Sequence, residues 1–504
     1  MSPLRTWMNR NTVLAILAIP AFLTLSTVGG CPALEDLLGG GNTNTNTNTN
    51  DNSSGNTNTN TNTNDNGSTV IPGNSGLTGK FVGSSRCQLC HANIHADWTG
   101  TLHAKAYDTL EAIGQQNNAQ CIGCHTVGFG EAGGWVDRAT TNDLAGVGCE
   151  ACHPSAGDHA KNASDVSLRP KADIAASVCG RCHTDEHHPN YDDWQLSKHA
   201  AVEPELVPSF AAGSNLSTCG KCHSGDYFYH AIIKGETVAA DYLKGKTSEQ
   251  MNAITCAICH NPHKRTGNAS TPDEGRDYQL RYPEVAFPIP TNTLAAAQDP
   301  TRFNICGQCH HARDRVWTDS SREPHPSDQA NVFFGEMPLP TSKPDPIVPS
   351  RPSVHLNTPD QCRTCHVFRK PIEEGVAPAV SGHTFEPNFE ACAQCHGSAE
   401  VGEAKFEGLK VEIQIREDRV IAALNAWATK YPLDGKGLLS WEYTSEGGPS
   451  AAVQAKIPDD IKKARYLYYY VKQGGANGVH NPDYVRDALV NAEEYARNAP
   501  APLP

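Results

Sequence analysis

Apolar and polar positions divide this chain into stretches of different character. Val13–Leu25 is an apolar run behind Arg5 and Arg10, the layout of an export signal. Pro20 and the shortness of the run argue against a permanent membrane helix. Gly39 to Gly79 is almost free of apolar residues: Asn-Thr repeats, then Asp, Ser and Gly. Such a stretch cannot bury enough apolar surface to offset its ordering entropy, so it reads as a flexible tether. Between residues 80 and 398 apolar positions are scattered, which predicts short helices and long loops. Helical spacing appears only after Gly397. Leu409, Ile413, Val420, Ile421, Leu424 and Trp427 line one face over Glu407–Lys430. Pro458–Lys472 predicts a second helix, stopped by Gly474 and Gly475. Asn481 caps a third, with Pro482 at its start and Val485, Leu489 and Ala492 on one face. In the second helix Tyr468, Tyr469 and Tyr470 read as packing residues.

Cysteine changes the picture. Of 19 Cys, 18 fall in nine copies of Cys-x-x-Cys-His. In chain order, motifs 1 to 9 carry the pairs Cys87/Cys90, Cys121/Cys124, Cys149/Cys152, Cys179/Cys182, Cys219/Cys222, Cys256/Cys259, Cys306/Cys309, Cys362/Cys365 and Cys392/Cys395. Their histidines are His91, His125, His153, His183, His223, His260, His310, His366 and His396. This is the attachment signature of haem c: two thiols become thioethers and the adjacent His becomes the proximal iron ligand. Zinc knuckles also use Cys-x-x-Cys. They would pair the motifs two by two and would not need His after every second Cys. The expected cofactors are therefore nine covalently bound haems c. Successive motifs start 28 to 56 residues apart, too close for independent peptide cores, and hydrophobic content is only 38%. The fold class expected is mainly α with extensive loops: a haem-nucleated multihaem cytochrome c fold plus a C-terminal helical bundle.

The one Cys outside the motifs is Cys31, at the end of Val28-Gly29-Gly30-Cys31. Small residues before Cys resemble a bacterial lipobox, so Cys31 is the expected lipidation site. The tether behind it would span roughly 35–40 Å by random-coil scaling. The boundaries expected are 1–30 signal peptide, 31–79 tether, 80–270 six-haem domain, 271–398 three-haem domain and 399–504 helical bundle. The protein is expected outside the cytoplasm, lipid-anchored in the outer membrane and facing the periplasm or cell surface. A net charge of −14 disfavours nucleic acid as a partner. It suits a basic redox partner approached by electrostatic steering.

The sixth iron ligand decides what such a protein can do. Outside the export signal the chain has only Met251 and Met337, so His must supply most distal positions. Thirteen His remain after the nine proximal ones. Asp97-Trp98-x-x-x-x-His103-Ala104 recurs as Asp193-Trp194-x-x-x-x-His199-Ala200, which singles out His103 and His199. His159 and His263 follow motifs 3 and 6 in echoed positions. Motifs 1–3 and 4–6 thus read as two copies of one three-haem unit. His187 and His480 share a His-x-Pro-x-Tyr setting just before a helix start. His355 and His383 precede motifs 8 and 9, and His230 and His325 complete the distal candidates. His95, His188 and His311 read as surface or supporting residues. Six-coordinate iron passes electrons without chemistry on a substrate, so no residue is assigned a catalytic role.

At these residues the chain resembles multihaem cytochromes c of the cytochrome c-554 type. The resemblance rests on Phe81–His91, Asp97-Trp98 with His103, motif 2, and Gly148–Pro154 with His159. It covers about residues 80–200 and implies electron transfer through closely stacked His/His haems. The later part, around motif 6 with His263 and Val479-His480-Asn481-Pro482, looks more like larger periplasmic multihaem cytochromes, including relatives of nitrite reductases. The Cys-x-x-Cys-Lys motif of those reductases is absent. Electron relay is therefore expected, with redox proteins as partners: other cytochromes, an oxidoreductase or a quinol-linked donor. The rival expectation is an oxidoreductase of small nitrogen or sulfur compounds at one five-coordinate haem. A third is a subunit of an extracellular cytochrome filament.

Overall fold

The computed structural model describes residues 80–504, except 172, 268, 271–275, 283, 286–303 and 475–476. The export signal, Cys31 and the tether lie outside the described residues, as does the stretch on the C-terminal side of the 270/271 boundary. The described part is mainly helical. Its strands are two-residue segments, 269–270 antiparallel to 276–277. This is the fold class the pattern predicts.

Before residue 398 the helices are short. Two matter for the argument: α1 (Ala92–Thr99) after motif 1 and α2 (Asn190–Leu196) after motif 4. The motifs themselves tend to form single turns. In motifs 1, 3, 4, 6 and 7 the His N–H donates to the carbonyl of the first Cys at 2.9–3.0 Å. That i to i+4 closure puts both thiols on one side of a turn, because residues three apart share a face. Gly180, inside motif 4, is needed for the same reason: a Cβ there would meet the Tyr191 ring at 2.5 Å.

The C-terminal part is built differently. Helix α3 spans Ala399–Lys430, α4 Asp459–Gln473 and α5 Pro482–Asn498. α3 begins eight residues before the apolar stripe that predicts it, because Ser398 caps it by accepting from Val401 N–H. α5 begins where expected, with Asn481 accepting from Tyr484 N–H and Pro482 at its first position. The echoed Pro189 differs: it stands at the cap of α2, one place earlier.

These helices bury Val420, Leu424, Ile461, Leu467, Tyr470 and Leu489 in one continuous core. Ala312, Trp317, Val332, Ile347 and Val348 belong to the same core, so the segment after motif 7 packs with the bundle. Tyr466 and Tyr470 are core residues, as are Tyr468 and, at its margin, Tyr469. The clusters before residue 300 are small by contrast. One gathers Phe81, Tyr107, Ile122, Val127, Trp135 and Leu144; another surrounds Phe210 and Leu243 and buries Met251. Among the described residues no helix is long and apolar enough to cross a membrane.

Candidate haem-binding centres

The sequence treats the motif thiols alike, as equal thioether positions; the structure does not. Most of them are half-buried, but Cys90 of motif 1 and Cys395 of motif 9 are exposed. Their histidines, His91 and His396, are exposed as well. Exposure is not confined to these end motifs, since His310 of motif 7 is exposed as well. A group held by Cys90 or Cys395 would keep an open edge toward solvent. Cys152 of motif 3 is exposed too, with Arg181 and Cys179 of motif 4 close by.

The motif histidines are held by their chain neighbours. Nδ1 of His125 donates to Ala106 O at 2.7 Å, that of His260 to Tyr278 O at 2.6 Å and that of His366 to Phe385 O at 2.8 Å. A carbonyl at Nδ1 fixes the tautomer and leaves the Nε2 lone pair for a metal. His183 lies beside the Asn190 side chain, whose Nδ2 stands 3.4 Å from His383 Nδ1. His223 places Nδ1 3.3 Å from Glu203 Oε1.

Six motif rings face a histidine from elsewhere in the chain. His183 faces His103 at 5.9 Å between ring centres, and His310 faces His199 at 6.1 Å. His153 faces His263 and His223 faces His325, each at 6.1 Å. His260 faces His383 at 6.3 Å, and His366 faces His480 at 6.1 Å. A metal-bound imidazole nitrogen lies about 2.0–2.1 Å from its metal, and the ring centre about 1.1 Å further, so two rings across one metal stand roughly 6.2–6.4 Å apart. The six pairs, at 5.9 to 6.3 Å, lie at or just inside that spacing.

Burial prepares the distal rings as neutral donors. It lowers His103, His199 and His383 to about 4, and His325 and His480 to about 3. Several are also anchored: His325 Nδ1 lies 2.9 Å from Ser327 Oγ, and His383 Nδ1 3.1 Å from Ser381 O.

His91, His125 and His396 are in no such ring pair among the described residues. His355 holds Nδ1 against Val479 O at 3.1 Å, with His396 as a charge neighbour. His159 buries an Nδ1 that has no partner. Its short helix, Gly157–Lys161, lies beside motif 1: Gly157 N–H donates to Lys80 O, and Arg86 reaches Ala160 O at 3.5 Å.

Elsewhere the structure redraws the expected choices. His187 lies near the carboxylates of Asp185 and Glu374, at 3.8 and 3.5 Å. His188 instead stands 6.4 Å from His183, with His125 as a further neighbour, and burial lowers it to about 4. The helix at Asn190 starts directly after His188-Pro189, which turns His188 rather than His187 toward the motifs. His230 is not placed opposite a motif histidine. Its Nδ1 meets Glu236 at 2.6 Å and its Nε2 meets the Tyr242 hydroxyl at 3.2 Å. His311 is buried, not at the surface, and its Nδ1 accepts from Arg313 N–H. His95 packs on Trp98.

Glu150, which sequence reading passed over, and the doubled Trp, whose bonding it did not show, support the motifs. Glu150, inside motif 3, is 7% exposed and accepts from Val82, Gly83 and Ala156 N–H at 2.7–2.9 Å. It ties motif 3 to the chain entering motif 1. The doubled Trp is the other support. Trp98 donates to Val147 O at 3.1 Å and Trp194 to Ile254 O at 3.0 Å, each carbonyl two residues before a motif.

Comparison with known proteins agrees with this geometry. Residues 86–154, which hold the first three motifs, match the family described as cytochrome c554 and c-prime. Cytochrome c-554 of Nitrosomonas europaea is 30% identical over 134 residues, 20% of this chain and 57% of that protein. The dissimilatory sulfite reductase MccA of Wolinella succinogenes is 23% identical over 398 residues, 70% of this chain and 49% of that one. The chain thus spans about half the length of these curated relatives. The solved outer cell wall cytochrome OcwA shares the fold at 17% identity, with a TM-score of 0.54 over 83% of this chain and all of that one. Taken with the repeated motifs and the facing histidine rings, these likenesses make the chain similar to multihaem cytochromes c, a family that holds haem c covalently, with its cytochrome c-554 type segment at residues 86–154.

Proposed function

We propose that the chain carries nine haems c, one per motif, and relays electrons between redox partner proteins outside the cytoplasm, anchored through Cys31. The observation that supports this best is the set of six facing histidine pairs. When bound, haem c supplies a one-electron iron couple. The chain's part would be to present a second histidine to the group held at each motif. His103, His199, His263, His325, His383 and His480 do so opposite motifs 4, 7, 3, 5, 6 and 8. By position, His159 serves His91, His188 serves His125 and His355 serves His396. Two neutral nitrogens on one iron leave no coordination site for a substrate, so the arrangement transfers electrons rather than groups.

Intact-mass measurement of protein matured in a haem-attaching host tests the count. Nine haem increments are expected; a motif recovered with free thiols would reduce it, and the exposed Cys90 and Cys395 are where peptide mapping should look first. Membrane fractionation of Cys31→Ser tests the anchor, with release into the soluble fraction and unchanged haem content expected.

A second reading has its own support. Among the described residues His91, His125 and His396 are the motif histidines outside the ring pairs, and one relative is named a sulfite reductase. If one of these three lacks a distal ligand, that centre can bind a small molecule. A high-spin signal in the resting protein separates this reading from the first.

A further inference from the structure

A carboxylate taken out of water is stable only where hydrogen-bond donors or a positive charge meet it. Two buried acids of this chain obey that rule. Glu150 accepts three backbone N–H groups, and Asp226 accepts the backbone and side-chain N–H of Asn252 at 2.7 and 3.0 Å. Asp328 does not. It is 0% exposed, it lies between motif 7 and the bundle, and neither Oδ1 nor Oδ2 has a hydrogen-bond partner.

Asp328 stands against the C-terminal end of α4. A Cβ on Gly474, the residue that follows α4, would lie 3.0 Å from Asp328 Oδ1 and 3.2 Å from Tyr470 O. Gly474 thus lets the carboxylate come up to the last turn. Such a helix end presents carbonyl oxygens and the negative pole of the helix dipole, where a further negative group is unfavourable. Two more buried oxygens without a donor belong to the adjoining residues, Gln329 Oε1 and Gln473 Oε1. The phenols that feel the charge of Asp328 do not relieve it: Tyr466 donates to Arg315 O and Tyr470 to Glu336 O. No Lys, Arg or second carboxylate acts on Asp328, and burial pushes its carboxyl well above the usual range.

Oxygens without donors are what a hard cation coordinates. Among the described residues no three or more His, Cys, Asp or Glu gather as metal ligands, which leaves out ions that need nitrogen, sulfur or several carboxylates. Charge selects further. Asp328 supplies one negative charge; the carbonyl of Tyr470 and the amides of Gln329 and Gln473 supply none. A singly charged ion balances this set, whereas a doubly charged one would leave a net positive charge in the interior.

We propose that Asp328 and Tyr470 O, with the amide oxygens of Gln329 and Gln473, hold an alkali-metal cation, sodium or potassium, at the C-terminal end of α4. The site is separate from the Cys-x-x-Cys-His motifs and does not depend on the electron-relay reading. Its place gives it a task. Ala330 N–H donates to His310 O and Asn481 Nδ2 donates to Val332 O, each at 3.0 Å, so the short helix Gln329–Phe334 joins motif 7 to the start of α5. An ion shared by Asp328 and Tyr470 O ties this helix to α4 as well.

Thermal melts of the mature holoprotein in potassium, sodium and tetramethylammonium chloride at equal ionic strength test the site, since an ion bound only to the folded state raises its midpoint by mass action. Potassium or sodium should raise the midpoint by roughly 2–4 °C over tetramethylammonium, with saturation as the concentration rises. Asp328→Asn, which keeps the shape and removes the charge, should lose the response. Gly474→Ala, whose methyl would crowd both oxygens, should need more salt for the same rise. Crystals of the holoprotein soaked in rubidium chloride give a reading that needs no variant: an anomalous peak at the rubidium edge beside Asp328. Equal midpoints in the three salts with no rubidium peak would overturn the proposal and leave Asp328 a protonated acid. A rise caused by calcium alone would overturn it in favour of a divalent ion, and a rise that persists in Asp328→Asn would overturn it by placing the ion elsewhere.

Discussion

At the scale of single residues, what separates a ligand from a bystander is the state of both ring nitrogens. His480 is half-buried, its Nδ1 has no partner, and burial lowers it to about 3. A neutral imidazole at neutral pH keeps a lone pair free, and His480 faces His366 at 6.1 Å between ring centres, just inside the spacing across one metal. His230 is the opposite case, with Glu236 on one nitrogen and Tyr242 on the other. His480→Ala should therefore turn one low-spin haem high-spin, raise its potential and add about one carbon monoxide site per chain. His230→Ala should leave the spectrum and the redox titration unchanged. Paramagnetic resonance on the two variants checks both; a fully low-spin His480→Ala spectrum would remove His480 from the ligand set. Sequence showed that there were histidines to spare and which of them stood in repeated settings. It could not show that His103 faces motif 4 rather than its own motif 1, because that pairing exists only after a chain reversal of some eighty residues. Nor did it separate His187 from His188, where a one-residue difference in the helix start decides which ring turns inward. The motif spelling is the same at Cys90 and Cys395 as at the half-buried Cys259 and Cys309, so exposure too was invisible until the chain folded.

At the scale of elements, two devices make the same argument at different sites. The Trp in α1 and the Trp in α2 each donate to a carbonyl two residues ahead of a distant motif. These two bonds hold equivalent places in two copies of one unit. Trp98→Phe and Trp194→Phe should each cost about 1 kcal/mol, the net worth of one hydrogen bond with its acceptor left half-buried. Denaturant midpoints of the holoprotein measure this, and equal shifts are expected from the pair. A large shift in one and none in the other would speak against equivalence.

In the C-terminal bundle the device is a buried acid. Glu442 is 7% exposed, accepts from both Tyr469 OH and Tyr443 N–H, and burial raises its carboxyl to about 7. The unfolded carboxyl ionises near 4.3. Between that value and about 7 the unfolded chain gives up a proton that the folded chain keeps, so stability is full below pH 4.3 and falls as pH rises to 7. The loss is up to about 4 kcal/mol at 1.36 kcal/mol per pKa unit. Glu442→Gln keeps an acceptor for Tyr469 and should flatten this slope in a thermal melt of the bundle's helices. The cap of α5 and its apolar face were legible in the sequence, since capping and spacing are local properties. The early start of α3 was less so. Its first turns pack Gly402 against Cys392 of motif 9, where a Cβ would approach Cys392 Cβ to 2.3 Å, and that contact lies between elements.

At the scale of the whole molecule, the chain holds two kinds of interior. The bundle buries a continuous apolar core that includes Trp317, Val420, Leu424, Tyr466 and Leu489. Burying one such side chain stabilises by about 1.5–3 kcal/mol, which many residues together can set against chain entropy. The motif-bearing region up to residue 260 has only small clusters of this kind, separated by motif loops. Its low apolar content was visible in the sequence. What could not be read there is that residues 312–348 cross the expected boundary at 398 and pack with the bundle. If the groups bound at the motifs complete the interior of the first region, its fold depends on them and that of the bundle does not. The full chain made without haem attachment should then show slow amide exchange in α3, α4 and α5 and fast exchange throughout α1, α2 and the loops of motifs 1 to 6. The mature protein should show protection in both regions. Hydrogen exchange read by mass spectrometry compares the two preparations peptide by peptide. Slow exchange over residues 80–260 in the haem-free chain would mean that the peptide alone closes that interior, and the dependence argued from its sparse core would be wrong.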